Sequence, residues 1–267
     1  MASAVVTGAG RGIGREVARG LAARGYDVLV TDVDEAGARA TAEAIGDRAR
    51  AMAQDVRDPE SHRAVAGAAA ERGPLAVWVN NAGVLRTEKA WEHSDDDVRM
   101  MVEANLLGVL WGSRAAIEAM RGQGGGHVIN LASMSAFGPV PGLAVYGATK
   151  HAVLGFTESL QGDLDEAGIP IRMHAVCPDG VDTRMVRDRA ADPEAAIIFS
   201  GGKDLLTAAE VADAIVGLLE SDALVLTIPR GRAALARFAG RYPRIGLRLL
   251  RVFRRIGERN RRSVTAR

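Results

Sequence analysis

The chain is short of cysteine, of unbroken apolar runs and of net charge, and each shortage removes a class of protein. Cys177 is the only cysteine, so no disulfide can close within the chain. A reducing cytosol is the expected compartment, and Cys177 reads as a structural thiol. The long uncharged stretch between Arg121 and Lys150 is broken by Gly, Asn, Ser and Pro, which a membrane span does not tolerate well. The opening residues Met1 to Gly8 lack the basic region and the apolar core of a signal peptide. Five histidines, at positions 62, 93, 127, 151 and 174, fall at no metal-ligand spacing with one another or with Cys177, so no catalytic metal is expected. The net charge is only +1, yet residues 230 to 267 hold thirteen of the 34 Lys and Arg and, among the acids, Glu258 alone. That segment is therefore +12 and the remainder −11.

What is present is an alternation. Helical patterns near 34–46, 58–73, 94–120, 145–168 and 207–221 are interleaved with short apolar strands near 48–53, 76–80, 127–132, 171–177 and 224–228. Two further strands, at Ala4 to Val6 and Tyr26 to Thr31, flank a first helix carrying Val17, Leu21 and Ala22. With 48% hydrophobic residues in 267, this predicts an α/β fold with a single doubly wound parallel sheet, whose ligands bind at the carboxyl ends of the strands.

The first of those ends is a glycine turn. Gly-x-Gly-x-x-Gly is absent; Thr7-Gly8-x-x-x-Gly12-Ile13-Gly14 stands in its place, with Arg11 inside it. Glycines let the backbone approach a pyrophosphate, and the N–H groups and dipole of a helix start favour its charge. Asp32 ends the next strand, where a carboxylate accepts hydrogen bonds from a ribose 2′-hydroxyl. Further on, Tyr146 and Lys150 stand four apart and share one helical face. A free phenol ionises near pH ~10, so using one as a base at neutral pH costs roughly 4 kcal/mol unless positive charge stabilises the phenolate. Lys150 is expected to supply that charge, and Ser133 to donate a hydrogen bond to the same substrate oxygen. No Gly-x-Ser-x-Gly elbow surrounds Ser133, so a nucleophilic hydrolase is not indicated.

With these motifs in order, the chain resembles the short-chain dehydrogenase/reductase family over roughly residues 3 to 228. The resemblance implies a nicotinamide-dependent oxidoreductase on a Rossmann fold. It assigns catalysis to Asn105, Ser133, Tyr146 and Lys150, with Asn105 holding a water in a proton relay and Lys150 also holding the nicotinamide ribose. It assigns cofactor binding to Gly8, Arg11, Gly12, Ile13, Gly14, Asp32, Asp55, Val56, Asn81, Tyr146, Lys150, Val181 and Thr183. The implied reaction is hydride exchange between NAD, preferred over NADP because of Asp32, and a secondary alcohol or ketone. The alternative is a nucleotide-sensing or scaffold protein that has lost turnover. Homo-tetramers or homo-dimers through helices near 94–120 and 145–168 are the implied assemblies.

Two features depart from that pattern. In Pro178-Asp179-Gly180-Val181-Asp182-Thr183, Asp179 takes the place of the family's glycine, as a solvated turn residue or as a charge near the nicotinamide. Residues 184–206 are expected to form a partly apolar substrate lid, and Leu85, Met134, Phe137, Val140, Leu143 and Met185 an apolar site for a hydrophobic small molecule. The extension 229–267 follows the 1–228 domain. From Pro243, Arg244, Arg248, Arg251, Arg255 and Arg259 recur at helical spacing beside Ile245, Leu249, Val252, Phe253 and Ile256. Packing on its own domain or on a neighbouring subunit is the first reading of 243–259. Peripheral contact with an anionic membrane is the second, and nucleic acid is the weakest of the three.

Overall fold

The computed structural model describes residues 1–201 and 205–265. Seven parallel strands, β1 (Ser3–Thr7), β2 (Asp27–Asp32), β3 (Ala49–Ala53), β4 (Leu75–Asn80), β5 (Gly126–Leu131), β6 (Ile171–Pro178) and β7 (Val225–Ile228), form one sheet in the order β3-β2-β1-β4-β5-β6-β7. Helices α1 (Gly12–Ala23), α2 (Glu35–Ile45), α3 (Pro59–Ala70), α4 (Asp95–Val102), α5 (Gly108–Met120), α6 (Ala144–Glu166), α7 (Arg184–Arg187) and α8 (Ala208–Gly217) connect them. After β7 come α9 (Arg230–Arg241) and α10 (Pro243–Thr265).

Period-2 alternation sends strand side chains into two cores. Ala4, Val6, Val28 and Val30 pack with Val17 and Leu21 of α1 and with Val211 and Ile215 of α8. Val5, Leu29 and Trp78 pack with Val65 of α3, Met120 of α5 and Leu164 of α6. Both faces of the sheet are thus covered, as an all-parallel sheet requires. The order of strands reverses between β1 and β4, which opens a crevice at their carboxyl ends.

One expectation is corrected and two are given detail. The helix expected over 94–120 is interrupted: a π-helical turn, Glu103–Leu107, separates α4 from α5. The extension contains a helix, α9, that its sequence did not announce, while α10 packs on the body as the first reading of 243–259 has it. Gly246 of α10 sits so close to α9 that a Cβ there would lie 2.6 Å from the Ala239 carbonyl oxygen. The lid consists of α7 and a 3₁₀ segment, Pro193–Gly201, while positions 202–204 of the expected lid lie outside the described residues.

Candidate active site

The glycine turn follows β1 directly. Gly8 (φ +62°) and Gly12 (φ +58°) occupy the left-handed region that other residues rarely adopt. A Cβ on Gly14 would lie 2.5 Å from Asn81 Nδ2 and 2.6 Å from the Gly8 carbonyl oxygen. Asn81, just past β4, locks this turn by donating from Nδ2 to the carbonyls of Thr7 (2.8 Å) and Gly8 (2.9 Å). Thr7 Oγ1 accepts in turn from the amides of Asn81 and Ala82, both at 3.1 Å. No side chain caps α1 and no acid stands in its first turn, so the helix start is left to an anion from outside.

Asp32 is 8% exposed. Its Oδ2 accepts from the Gly10 amide at 2.9 Å and its Oδ1 from the Asp34 amide at 3.0 Å. Asp55 faces the same cavity, but Arg57 takes its carboxylate at 2.6 Å and holds its pKa below the usual range. Val56 offers its carbonyl to His62 Nε2 at 2.9 Å. Thr183 lies over the glycine turn: its Cγ2 would be 3.5 Å from a Cβ on Gly12. Val181 forms an isolated bridge with Leu206, and its carbonyl accepts from the Thr183 amide at 2.8 Å.

A cavity of about 670 Å³ joins these groups to Ile13, Arg11, Asn105, Ser133, Tyr146 and Lys150. Ser133 Oγ accepts from the Ser135 amide at 3.1 Å, which leaves its hydroxyl proton free to be donated. Lys150, 4% exposed, donates from Nζ to the Leu131 carbonyl at 2.6 Å, and Nζ lies 5.7 Å from the centre of the Tyr146 ring. Burial pushes the Tyr146 hydroxyl up to about 12, an effect that Ser133 partly opposes. Burial likewise brings Lys150 down to about 8. The expected lowering of Tyr146 by Lys150 is therefore not seen, because burial is the largest influence on both groups. Desolvation disfavours both charged forms, and the ammonium is aimed at a carbonyl instead. Beneath the pair, burial raises the Cys177 thiol to about 12, in keeping with an inert structural cysteine.

Asn105 lies in the π-helical turn and is fully buried. Its Oδ1 accepts from the Val84 amide at 2.7 Å and its Nδ2 donates to the Val84 carbonyl at 2.8 Å. Both ends of the amide thus brace the strand exit. A Cβ on Gly83 would lie 3.0 Å from Asn105 Oδ1 and 3.9 Å from Lys150 Nζ, so Gly83 is the spacer between the two.

Leu85, Met134, Val140, Leu143 and Met185 line the cavity as expected. Phe137 does not. Its ring lies under the Arg237 guanidinium, 4.7 Å away, on the outer side of the loop. Sequence reasoning missed Arg57, Arg232, Leu250 and the buried amide Asn130, whose Oδ1 accepts from Asn80 Nδ2 at 2.8 Å beneath the site. The departure at Asp179 is resolved by one of these. Its Oδ2 forms an ion pair at 2.6 Å with Arg232 Nη1 of α9, and Arg232 Nη2 donates to Ser200 Oγ of the lid at 3.2 Å. Asp179 is neither a solvated turn residue nor a free charge in the pocket. Asp179→Asn, which leaves Arg232 half-buried without its anion, is expected to destabilise the protein by about 1–3 kcal/mol. Urea unfolding measures this, and an unchanged midpoint would remove the pair from the list of structural contacts.

A parallel sheet with a glycine turn at the crossover, an acid at the end of β2, a Ser just past β5 and a Tyr, Lys pair on α6 defines a dinucleotide-dependent oxidoreductase. Residues 2–194 match the family described as short chain dehydrogenase. The chain is 34% identical over 226 residues to the 3-oxoacyl-[acyl-carrier-protein] reductase FabG of Escherichia coli, covering 84% of this chain and 92% of that one. It is 31% identical over 234 residues to the putative oxidoreductase SadH of Mycobacterium tuberculosis, covering 86% and 82%. The crystal structure of a short chain dehydrogenase/reductase from Burkholderia phymatum in complex with NAD superposes with a TM-score of 0.83 at 30% identity, over 92% of this chain and 95% of that one. The protein belongs to the short-chain dehydrogenase/reductase family. It is a nicotinamide-dependent oxidoreductase acting on CH–OH groups. The glycine cradle, the uncapped α1 start and the fixed Asp32 fit such a cofactor.

Proposed function

We propose that the protein interconverts a hydrophobic ketone and its secondary alcohol, with NAD as the preferred nicotinamide cofactor and Tyr146 as the acid/base. The observation that carries this reading is the meeting of Ser133, Tyr146 and Lys150 in one cavity that Leu85, Met134, Val140, Leu143 and Met185 also line. When bound, the cofactor supplies or accepts the hydride. Gly8, Arg11, Gly12, Ile13 and Gly14 would hold its pyrophosphate end, with Thr183 above. Asp32 would hold the adenosine ribose, and Asp55, Val56 and Asn81 would flank the adenosine half. Val181 would meet the carboxamide through its backbone. Tyr146, neutral at pH 7, donates its proton to the substrate oxygen in the direction of reduction. Ser133 donates a hydrogen bond to the same oxygen and fixes its position. Lys150 places a positive charge beside the phenol and holds the nicotinamide ribose. With the Asn105 side chain committed to Val84, any part of Asn105 in the proton relay falls to its main chain.

In the same reading the enzyme is cytoplasmic, assembles as a homo-dimer or homo-tetramer through helices 94–120 and 145–168, and touches a membrane surface peripherally through 243–259. Among the described residues no helix is long and apolar enough to cross a membrane.

The test is turnover of a panel of ketones with NADH, from small polar to long-chain apolar. Rising kcat/KM with apolar chain length supports the reading, and a maximum at the polar end sinks it. The same assay carries a pH prediction. Because kcat/KM reports free-enzyme groups, it should be level below about pH 8 and fall above it, as Lys150, whose pKa lies at about 8, loses its charge. Tyr146, at about 12, stays protonated throughout that range. A profile that remains level to pH ~10 would show that the Lys150 charge is not used.

A further inference from the structure

At 3.6 residues per turn, α10 presents three faces. The first is turned to the protein. Gly246 packs on α9, and Gly257 is buried so tightly that a Cβ would run into the Ala196 carbonyl of the lid. Leu250 and Phe253, between them, face the cavity. This face is pinned at several points: Arg254 Nη2 pairs with Glu194 at 3.0 Å, Asn260 Nδ2 donates to the Phe199 carbonyl at 3.0 Å, and Arg261 Nη1 donates to the Ala190 carbonyl at 2.8 Å. Arg254, which interrupts the apolar side in sequence, is therefore a lid contact. The helix cannot roll to bury what its other faces carry.

Those faces carry two adjacent rows. Ile245, Leu249, Val252 and Ile256 follow one another at helical spacing and are 47%, 37%, 53% and 40% exposed. Alongside run Arg244, Arg248, Arg251, Arg255 and Arg259, all exposed, and among the described residues none of the five has a carboxylate within ion-pair distance. The one acid of the segment, Glu258, lies 3.8 Å from Arg254. An apolar row beside a cationic row, on a helix held flat against the body, is the geometry that lies in the plane of a bilayer interface.

We propose that α10 docks on an anionic lipid surface, with Ile245, Leu249, Val252 and Ile256 in the acyl boundary and the five arginines on lipid phosphates. Charge separation within the chain favours this occupant. The extension is +12 and the remainder −11, so an anionic surface attracts this helix and repels the rest, which fixes the orientation of docking. A second copy fits worse, because an antiparallel two-fold contact through the same rows would set like arginine rows beside each other.

The inference deepens the proposed reaction, on which its second half rests. Leu249 belongs to the exposed row and to the cavity wall at once, and Gly246, Leu250 and Phe253 continue that wall inward. The docked face and the substrate cavity are thus two sides of one helix. A ketone or alcohol dissolved in the bilayer reaches the cavity past Leu249 without crossing bulk water. The substrate class is accordingly a membrane-dissolved, long-chain ketone or secondary alcohol.

The test uses the full chain with vesicles of phosphatidylglycerol and phosphatidylcholine, or of phosphatidylcholine alone, at low and high salt. Co-sedimentation should be about 100-fold stronger on the anionic vesicles at low salt and lost at high salt. The variant Val252→Glu/Ile256→Glu changes the outer row and no cavity residue. It should abolish vesicle binding, leave turnover of water-soluble cyclohexanone unchanged, and lose turnover of a long-chain methyl ketone dissolved in the vesicles. Equal sedimentation on both vesicle types overturns the proposal, as does undiminished binding of the variant. So does a drop in oligomeric state of the variant by sedimentation velocity, which would assign the row to a subunit contact. If vesicle binding behaves as stated while neither ketone is turned over, docking stands and the proposed reaction falls.

Discussion

Tyr146→Phe is expected to lower kcat by about 10²–10⁴-fold while cofactor affinity stays within a small factor of the parent. The substitution removes one oxygen, the group proposed to give its proton to the substrate oxygen. General acid/base catalysis typically contributes that range. The surrounding structure gives no reason for collapse, since the phenol ring sits in the wall of the open cavity. Its hydroxyl is hydrogen-bonded to Ser133, and Ser133 keeps its bond from the Ser135 amide. Lys150→Ala should behave differently and damage both kcat and cofactor affinity, because the Lys150 ammonium is tied to the Leu131 carbonyl at the exit of β5. The decisive measurement is kcat with NADH titrated in parallel by fluorescence. A Tyr146→Phe enzyme retaining more than about a hundredth of parental kcat would remove Tyr146 from the acid/base role.

NAD should be used with a kcat/KM about 100-fold or more above that of NADP. Asp32 cannot swing away from an added 2′-phosphate, because the Gly10 and Asp34 amides hold its two oxygens at 2.9 and 3.0 Å. A Cβ on Gly10 would itself lie 2.9 Å from Asp32 Oδ2, so the turn and the acid are one packed unit. Like charge forced together in such a site costs several kcal/mol. Arg11 pulls the other way, but it is exposed on the turn, where solvent screens it. Asp32→Ser should bring the two cofactors within about tenfold of each other, since it removes the like charge and leaves Arg11 in place. Higher kcat/KM with NADP in the parent enzyme would reverse the assignment.

The parts of the site that could be read from sequence are those where local chemistry dictates the residue. Gly8 and Gly12 are glycine because their backbones adopt positive φ, and the Asp32 carboxylate follows a strand by geometric necessity. Tyr146 and Lys150 share a face through helical spacing alone. The unread parts depend on distance in the chain. Asp179 and Arg232 lie on separate elements, and nothing near either announces the other. α9 carries glycines at 231 and 240 that weaken a helix on propensity, but Gly240 is there because the Phe137 carbonyl leaves no room for a Cβ. The π-helical turn at Asn105 adds a residue to a helix without any change of composition, so its periodicity reads as one continuous helix. The direction of the Tyr146 shift is not legible in the sequence for a related reason. Spacing reports that two groups are neighbours, whereas burial, which sets the sign here, is a property of the finished cavity.

The packing of Gly257 against Ala196 gives the protein an order of assembly in time. Every group assigned to the cofactor, from Gly8 to Thr183, has left the ribosome before the residues that roof the substrate cavity. At about 5–20 residues per second, the interval from Thr183 to Phe253 is roughly 4–14 s. For the first part of that interval α8 is missing as well, and its Val211 and Ile215 pack behind β1 and α1, so neither the support of the glycine turn nor the α10 wall of the cavity is in place until the C-terminal part of the chain has been made.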